Sequence, residues 1–103
     1  MNAGQLAILN QIMMLLTQRL PEIHGVIVNV IEPVMTTLNP SIKVEIENQW
    51  LIAHLGFWST KTAEIGAIRL DGAMPLFDYA FEFETKNDLE PHLDKVIELF
   101  KSE

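Results

Sequence analysis

Hydrophobic and polar positions alternate strictly from Phe77 to Glu84: Phe77, Tyr79, Phe81 and Phe83 are interleaved with Asp78, Ala80, Glu82 and Glu84. A period of two is the side-chain repeat of a β-strand, so the rings share one face of a sheet and the acids share the other. The same rhythm runs through residues 42–47, where Ile42, Val44 and Ile46 alternate with Lys43, Glu45 and Glu47. Residues 50–58 are almost wholly apolar, which predicts a strand covered on both faces or central in the sheet. Residues 63–70 and 76–84 complete the series, and Gly66 marks a bulge or a close backbone approach. Turns are supplied by Asn48-Gln49, by Ser59-Thr60-Lys61, and by Asp71-Gly72, whose residues tolerate the positive φ of a hairpin.

Two segments carry helical spacing instead. Over residues 5–20, Leu6, Leu9, Ile12, Met13, Leu16 and Leu20 form one stripe, widened by Ile8, Met14 and Leu15. Arg19 is the sole charge there and suits the C-terminal end of the helix dipole; Pro21 stops the helix. Near the C-terminus, Leu89, Leu93, Val96, Ile97 and Phe100 form a second stripe, with Asn87 or Asp88 as cap and Pro91 in or just past the first turn. Asp88 and Glu90 lie at the positive end of that helix and Lys101 at the negative end.

Residues 25–32 admit two readings. Ile23, Val26, Ile27, Val30, Ile31, Val34, Met35 and Leu38 fit a helix by spacing. Yet Val26 to Ile31 is β-branched at every position but Asn29, which favours a pleated surface. Gly25 opens the segment and Pro33 closes it, and a strand is the reading adopted. Residues 33–41 then form a connection ending in the turn Asn39-Pro40-Ser41.

Short links between successive strands favour antiparallel neighbours. The expected fold is therefore α+β: an antiparallel β-meander of four to five strands, with an N-terminal and a C-terminal helix packed on one face, in a single domain over 1–103. The helices are expected on the face of Phe77, Tyr79, Phe81 and Phe83, where each buried side chain is worth about 1.5–3 kcal/mol. The first helix's stripe is also wide enough for a homodimer or partner contact.

Charge narrows the function. Fourteen acids against seven bases give a net charge of -7, which argues against nucleic acid or an anionic membrane as partner. The chain has no cysteine, which removes disulfides and thiolate metal sites and suits a reducing compartment. Met1-Asn2-Ala3-Gly4-Gln5 has no Lys or Arg and so lacks a signal peptide's basic region. The apolar run after it is interrupted by Asn10, Gln11, Thr17, Gln18 and Arg19 and is too short to span a bilayer. A cytoplasmic protein is expected.

Catalytic chemistry finds little support. His24, His54 and His92 lack metal-ligand spacing, and neither metal nor cofactor is expected. His54 falls in an apolar strand and reads as a core histidine, while His92 reads as solvated. Glu45 with Glu47, and Glu82 with Glu84, lie about 7 Å apart on one strand face. A glycosidase would need a cleft around such a pair, which an open sheet does not offer. Ser41, Ser59 and Ser102 stand outside any nucleophile elbow, and no Gly-rich phosphate loop is present. No catalytic residue is assigned. Trp50 and Trp58 point to one side, and at least one is expected in the core.

What remains is a binding surface. If the strands share a sheet, Glu45, Glu47, Asp78, Glu82 and Glu84 form one acidic face for a basic protein partner. Nucleases are basic, so an inhibitor of a nuclease-like toxin fits. The alternatives are a phage-encoded inhibitor of a host defence nuclease, of the anti-CRISPR type, or a small-molecule-binding α+β domain with an enclosed pocket between sheet and first helix.

Asn39-Pro40-Ser41, then Val44-Glu45-Ile46-Glu47, then a hydrophobic strand ending at Trp58 resemble the small bacterial immunity proteins of the TriTu family. So do Asp71-Gly72, the aromatic-rich strand and Asn87-Asp88-Leu89 opening the last helix. The resemblance spans roughly residues 25–100. It implies neutralisation of a cognate bacterial toxin by direct binding, with no catalytic residues.

Overall fold

Helix, five strands and helix follow one another in the expected order in the computed structural model, which describes residues 3–31 and 39–102. Helix α1 (Ala3–Arg19) ends in a short 3-10 turn, Leu20–Glu22, where Pro21 cannot continue the helical ladder. The strands are β1 (Ile27–Ile31), β2 (Ser41–Glu47), β3 (Leu51–Trp58), β4 (Thr62–Arg69) and β5 (Met74–Glu82). Helix α2 (Glu90–Lys101) closes the fold. The ambiguous segment is a strand: β1 pairs with β2, Ile27 opposite Glu47 and Ile31 opposite Lys43. Glu32 and the part of the expected connection over 33–38 lie outside the described residues.

The sheet order is β1-β2-β3-β4-β5, every pair antiparallel. It is an antiparallel meander, and the fold is α+β. Between β2 and β3, the side-chain oxygen of Asn48 accepts hydrogen bonds from the Trp50 and Leu51 amides, both at 2.8 Å. Between β4 and β5, Asp71–Ala73 makes a 3-10 turn, with φ 82° at Gly72 and 50° at Ala73. Gly72 adopts that left-handed conformation at little steric cost.

Both helices cover one face. Leu9, Ile12, Leu15 and Leu16 of α1 and Leu93, Val96, Ile97 and Phe100 of α2 share a core with Ile42, Val44 and Ile46, with Leu55 and Phe57, and with Ile65. Ala53, Ala63 and Ala67 are buried on that face. The helices are tied at their ends by Arg19, which hydrogen-bonds Glu22 at 2.6 Å and also reaches Glu90 and Asp94. The bond to Asp94, then that to Glu22, drive the guanidinium pKa still higher, and Arg19 stays charged.

Two expectations at the C-terminal end need correction. The N-cap is Thr85, two residues before Asn87, and of the expected pair Asp88 takes part in the cap. Thr85 and Asp88 form a capping box around a 3-10 turn, Lys86–Leu89, that leads into α2. The Asp88 carboxylate accepts the Glu84 amide at 2.9 Å and the Thr85 amide at 3.1 Å. Those two donors hold its pKa below the usual carboxylate value. The second correction concerns the rings of β5. Phe83 is buried, but Phe77, Tyr79 and Phe81 are only half-buried. β5 is an edge strand, and α2 lays His92 and Lys95 on these rings rather than an apolar stripe. His92 is thus half-buried, not solvated: its ring stacks on Phe81 at 3.7 Å and Nδ1 lies 2.7 Å from the Tyr79 hydroxyl. With the proton on Nε2, that hydroxyl donates to Nδ1. Burial, then the nearby Lys95, lower the His92 pKa from 6.5. Lys95 Nζ lies 4.5 Å from the Phe77 ring centre and 4.8 Å from that of Tyr79.

Candidate docking face

Among the described residues no helix lies over the opposite face of the sheet, and the antiparallel register orders its side chains in rows across the strands. One row runs Asn29, Glu45, His54, Gly66, Asp78. The next holds Lys43, Gly56, Glu64 and Ala80, and a third holds Ser41, Trp58, Thr62 and Glu82. At the other end lie Ile27, Glu47, Ile52, Ile68 and Pro75. Rows fall on one face because opposite residues in a sheet point the same way.

Four of the five expected partner-binding residues, Glu45, Glu47, Asp78 and Glu82, therefore share this face. They form two groups, because three strand spacings, about 14 Å, separate β2 from β5. Glu84 does not join them. It lies past the end of β5, strongly exposed, with its carboxylate 3.7 Å from Lys61 Nζ. The strand stops because Phe83 turns into the core and hands the chain to the cap of α2.

Between the two acidic groups stand residues that the sequence reading had placed elsewhere. His54 is not a core histidine; it is half-exposed on the outer face. Its ring lies across Gly66, where an added Cβ would come within 2.4 Å of Cε1, and its Nε2 is 3.8 Å from Asp78. Gly66 thus marks a close approach, while the β-bulge falls between Ala67 and Ile68. Neither tryptophan belongs to the buried core. Trp58 is half-buried on the outer face, its indole folded over Gly56, and Trp50 is exposed in the turn before β3. Both glycines give an aromatic ring a flat bed on which to lie.

Lys43, Glu45, His54, Gly56 and Glu64 rim a shallow depression of about 110 Å³. His54 and Trp58 were hidden in the sequence. Leu51, Ala53, Leu55 and Phe57 alternate with Ile52, His54, Gly56 and Trp58, but Ile52 and Trp58 are apolar and mask the rhythm.

The face offers carboxylates, one lysine, an imidazole and an indole in the open. Such an arrangement can attract and grip a protein surface; it does not exclude water from a reacting bond. Among the described residues, no group of three or more His, Cys, Asp or Glu is placed to hold a metal ion, and no helix is long and apolar enough to cross a membrane. Where a small-molecule-binding domain would require an enclosed pocket between sheet and first helix, the described residues form an apolar groove of about 380 Å³ between α1 and β1, open to solvent at Val28 and Val30. No protein-family model matches the chain, and no curated protein matches it significantly.

Proposed function

We propose that this chain is a non-enzymatic immunity protein, which binds a basic bacterial toxin, such as a nuclease, on the outer face of its sheet and blocks the toxin's working surface. The observation that carries this reading is the composition of that face. Among the described residues, Glu45, Glu47, Glu64, Asp78 and Glu82 stand there against Lys43 alone. Such a field draws a basic protein in and speeds encounter by about 10 to 10³-fold, more than it adds to affinity. Trp58 and Ile52 supply apolar contact between the charges, the mixture expected of a docking surface. The resemblance of the central strands and last helix to the TriTu immunity proteins points the same way.

The test uses the triple variant Glu45→Lys/Asp78→Lys/Glu82→Lys and, as probe, a basic nuclease toxin that the wild-type chain binds. Stopped-flow association at rising salt should show the wild-type rate falling steeply with ionic strength. In the variant the low-salt rate should drop by about tenfold or more and the salt dependence should flatten. An unchanged rate and slope would remove the outer face from the mechanism.

A further inference from the structure

The two edges of the sheet are built differently. An edge strand leaves backbone N–H and C=O groups without a neighbour, and proteins commonly blunt such edges with charges, prolines or bulges. β5 has all three: Asp78 and Glu82, Pro75, and an extra residue, Leu76, where its pairing with β4 slips. β1 has none. It reads Ile27-Val28-Asn29-Val30-Ile31, and Ile27, Val28 and Val30 are 60%, 37% and 42% exposed.

The flank of β1 toward α1 is equally bare of charge, and the charged neighbours of β1, Lys43, Glu45 and Glu47 on β2, lie one strand in from the edge. Residues 3–18 and 23–31 contain no Asp, Glu, Lys or Arg. Arg19 and Glu22, between them, are 2.6 Å apart and paired. The apolar groove between α1 and β1 continues the same surface past Val28 and Val30. A chain of net charge -7 repels its own copies. At β1 two copies can meet with no charged residue on the paired strands, the acids of the two β2 strands staying three strand spacings, roughly 14 Å, apart.

The sequence of β1 says which occupant fits. Ile-Val-Asn-Val-Ile is the same in both directions about Asn29. An antiparallel pair of such strands, related by a two-fold axis at Asn29, sets residue 27 opposite 31, 28 opposite 30, and 29 opposite itself. Each pair matches like with like on one face. That is the self-complementarity a two-fold dimer requires, since residue i meeting j implies j meeting i. We infer that two copies pair β1 to β1 and join their sheets into one of twice the width. A strand pair this short covers less than the roughly 800 Å² per partner of a standard interface, so the flanking grooves belong to the contact. This inference does not rest on toxin binding, because it uses the free edge and apolar groove at β1 and not the acids of β2 and β5.

Disulfide trapping tests the register. The chain has no cysteine, so Asn29→Cys introduces its sole thiol. Opposite residues of an antiparallel pair have Cα atoms about 4.5–5.5 Å apart, within disulfide reach. Mild oxidation should convert Asn29→Cys to a covalent dimer about tenfold or more faster than Thr60→Cys, whose thiol would sit in an exposed turn. Sedimentation equilibrium gives the second reading. Wild type should be dimeric at high concentration and Val28→Lys/Val30→Lys monomeric, because each introduced Lys then faces another. Val28→Lys/Val30→Glu should dimerise again, because each Lys faces a Glu. A monomeric wild type, equal cross-linking at the two cysteine positions, or a dimer that survives Val28→Lys/Val30→Lys but is broken by Met14→Lys would each overturn the pairing. Should the double-lysine variant fail to fold, the cross-linking rates still decide.

Discussion

On β2, Ile42, Val44 and Ile46 are sealed against the helices, while Lys43 and Glu45, one residue away from them, are exposed. The two faces of one sheet thus differ in what a side chain can do. On the inner face each group is fixed by its neighbours, since interiors pack as densely as organic crystals. On the outer face His54, Trp58 and the carboxylates lie across glycines or in water, and changing them costs the fold little. The inner face spends its chemistry on cohesion, while the outer face keeps its polar groups in the open.

The contrast can be broken from either side, and the inner face should give the largest effects. Phe57, fully buried in β3, should cost about 3–5 kcal/mol as Phe57→Ala in urea unfolding. A loss no greater than that of an exposed site would mean that the helices do not seal the face. At the margin between the faces, Thr85→Ala removes half of the box that starts α2 and should cost about 1 kcal/mol, with the melting temperature lowered accordingly.

His92 makes the margin sensitive to pH. Its folded pKa is lowered from 6.5 by burial and Lys95, so the unfolded chain binds more protons in that window. Stability from His92 is complete above about 6.5 and is lost as pH falls below it toward the lowered value. In His92→Phe, which keeps a ring on Phe81, unfolding free energy should fall less on acidification across that range than in wild type. Equal slopes would mean that burial and Lys95 do not hold His92 neutral.

The smallest stability effect belongs to the outer face. Glu45→Lys/Asp78→Lys/Glu82→Lys changes the net charge by three times two, from -7 to -1, yet each substitution should move stability by only about 0.5 kcal/mol or less. A large loss of stability would show that these residues serve the fold and would weaken the case for a docking face.

Much of this architecture was legible in the alternation of β2 and β5 and in the stripes of α1 and α2. The amphipathicity of β2, β5 and α2 is strong and that of α1 weak, and a half-buried element announces its period. β3 was not legible in the same way. It lies in the middle of the sheet, and both of its faces carry large apolar residues, so its rhythm does not tell which side meets the helices. That side was settled by its neighbours: Glu45 faces out, and His54, directly opposite it, must follow. The candidate site was half legible for the same reason. The acids of β2 and β5 could be placed on one face by counting, whereas His54, Trp58 and Gly66 could not.

The sequence alone determined the elements, the short antiparallel links and the sign of the exposed charge, because period, turn residues and composition are local quantities. Tertiary structure decided that Glu84 lies past the end of its strand, that His54 crosses Gly66 toward Asp78, and that the rings of β5 are only half covered. Those outcomes depend on which element lies alongside or over a residue, and that neighbour comes from a distant part of the chain.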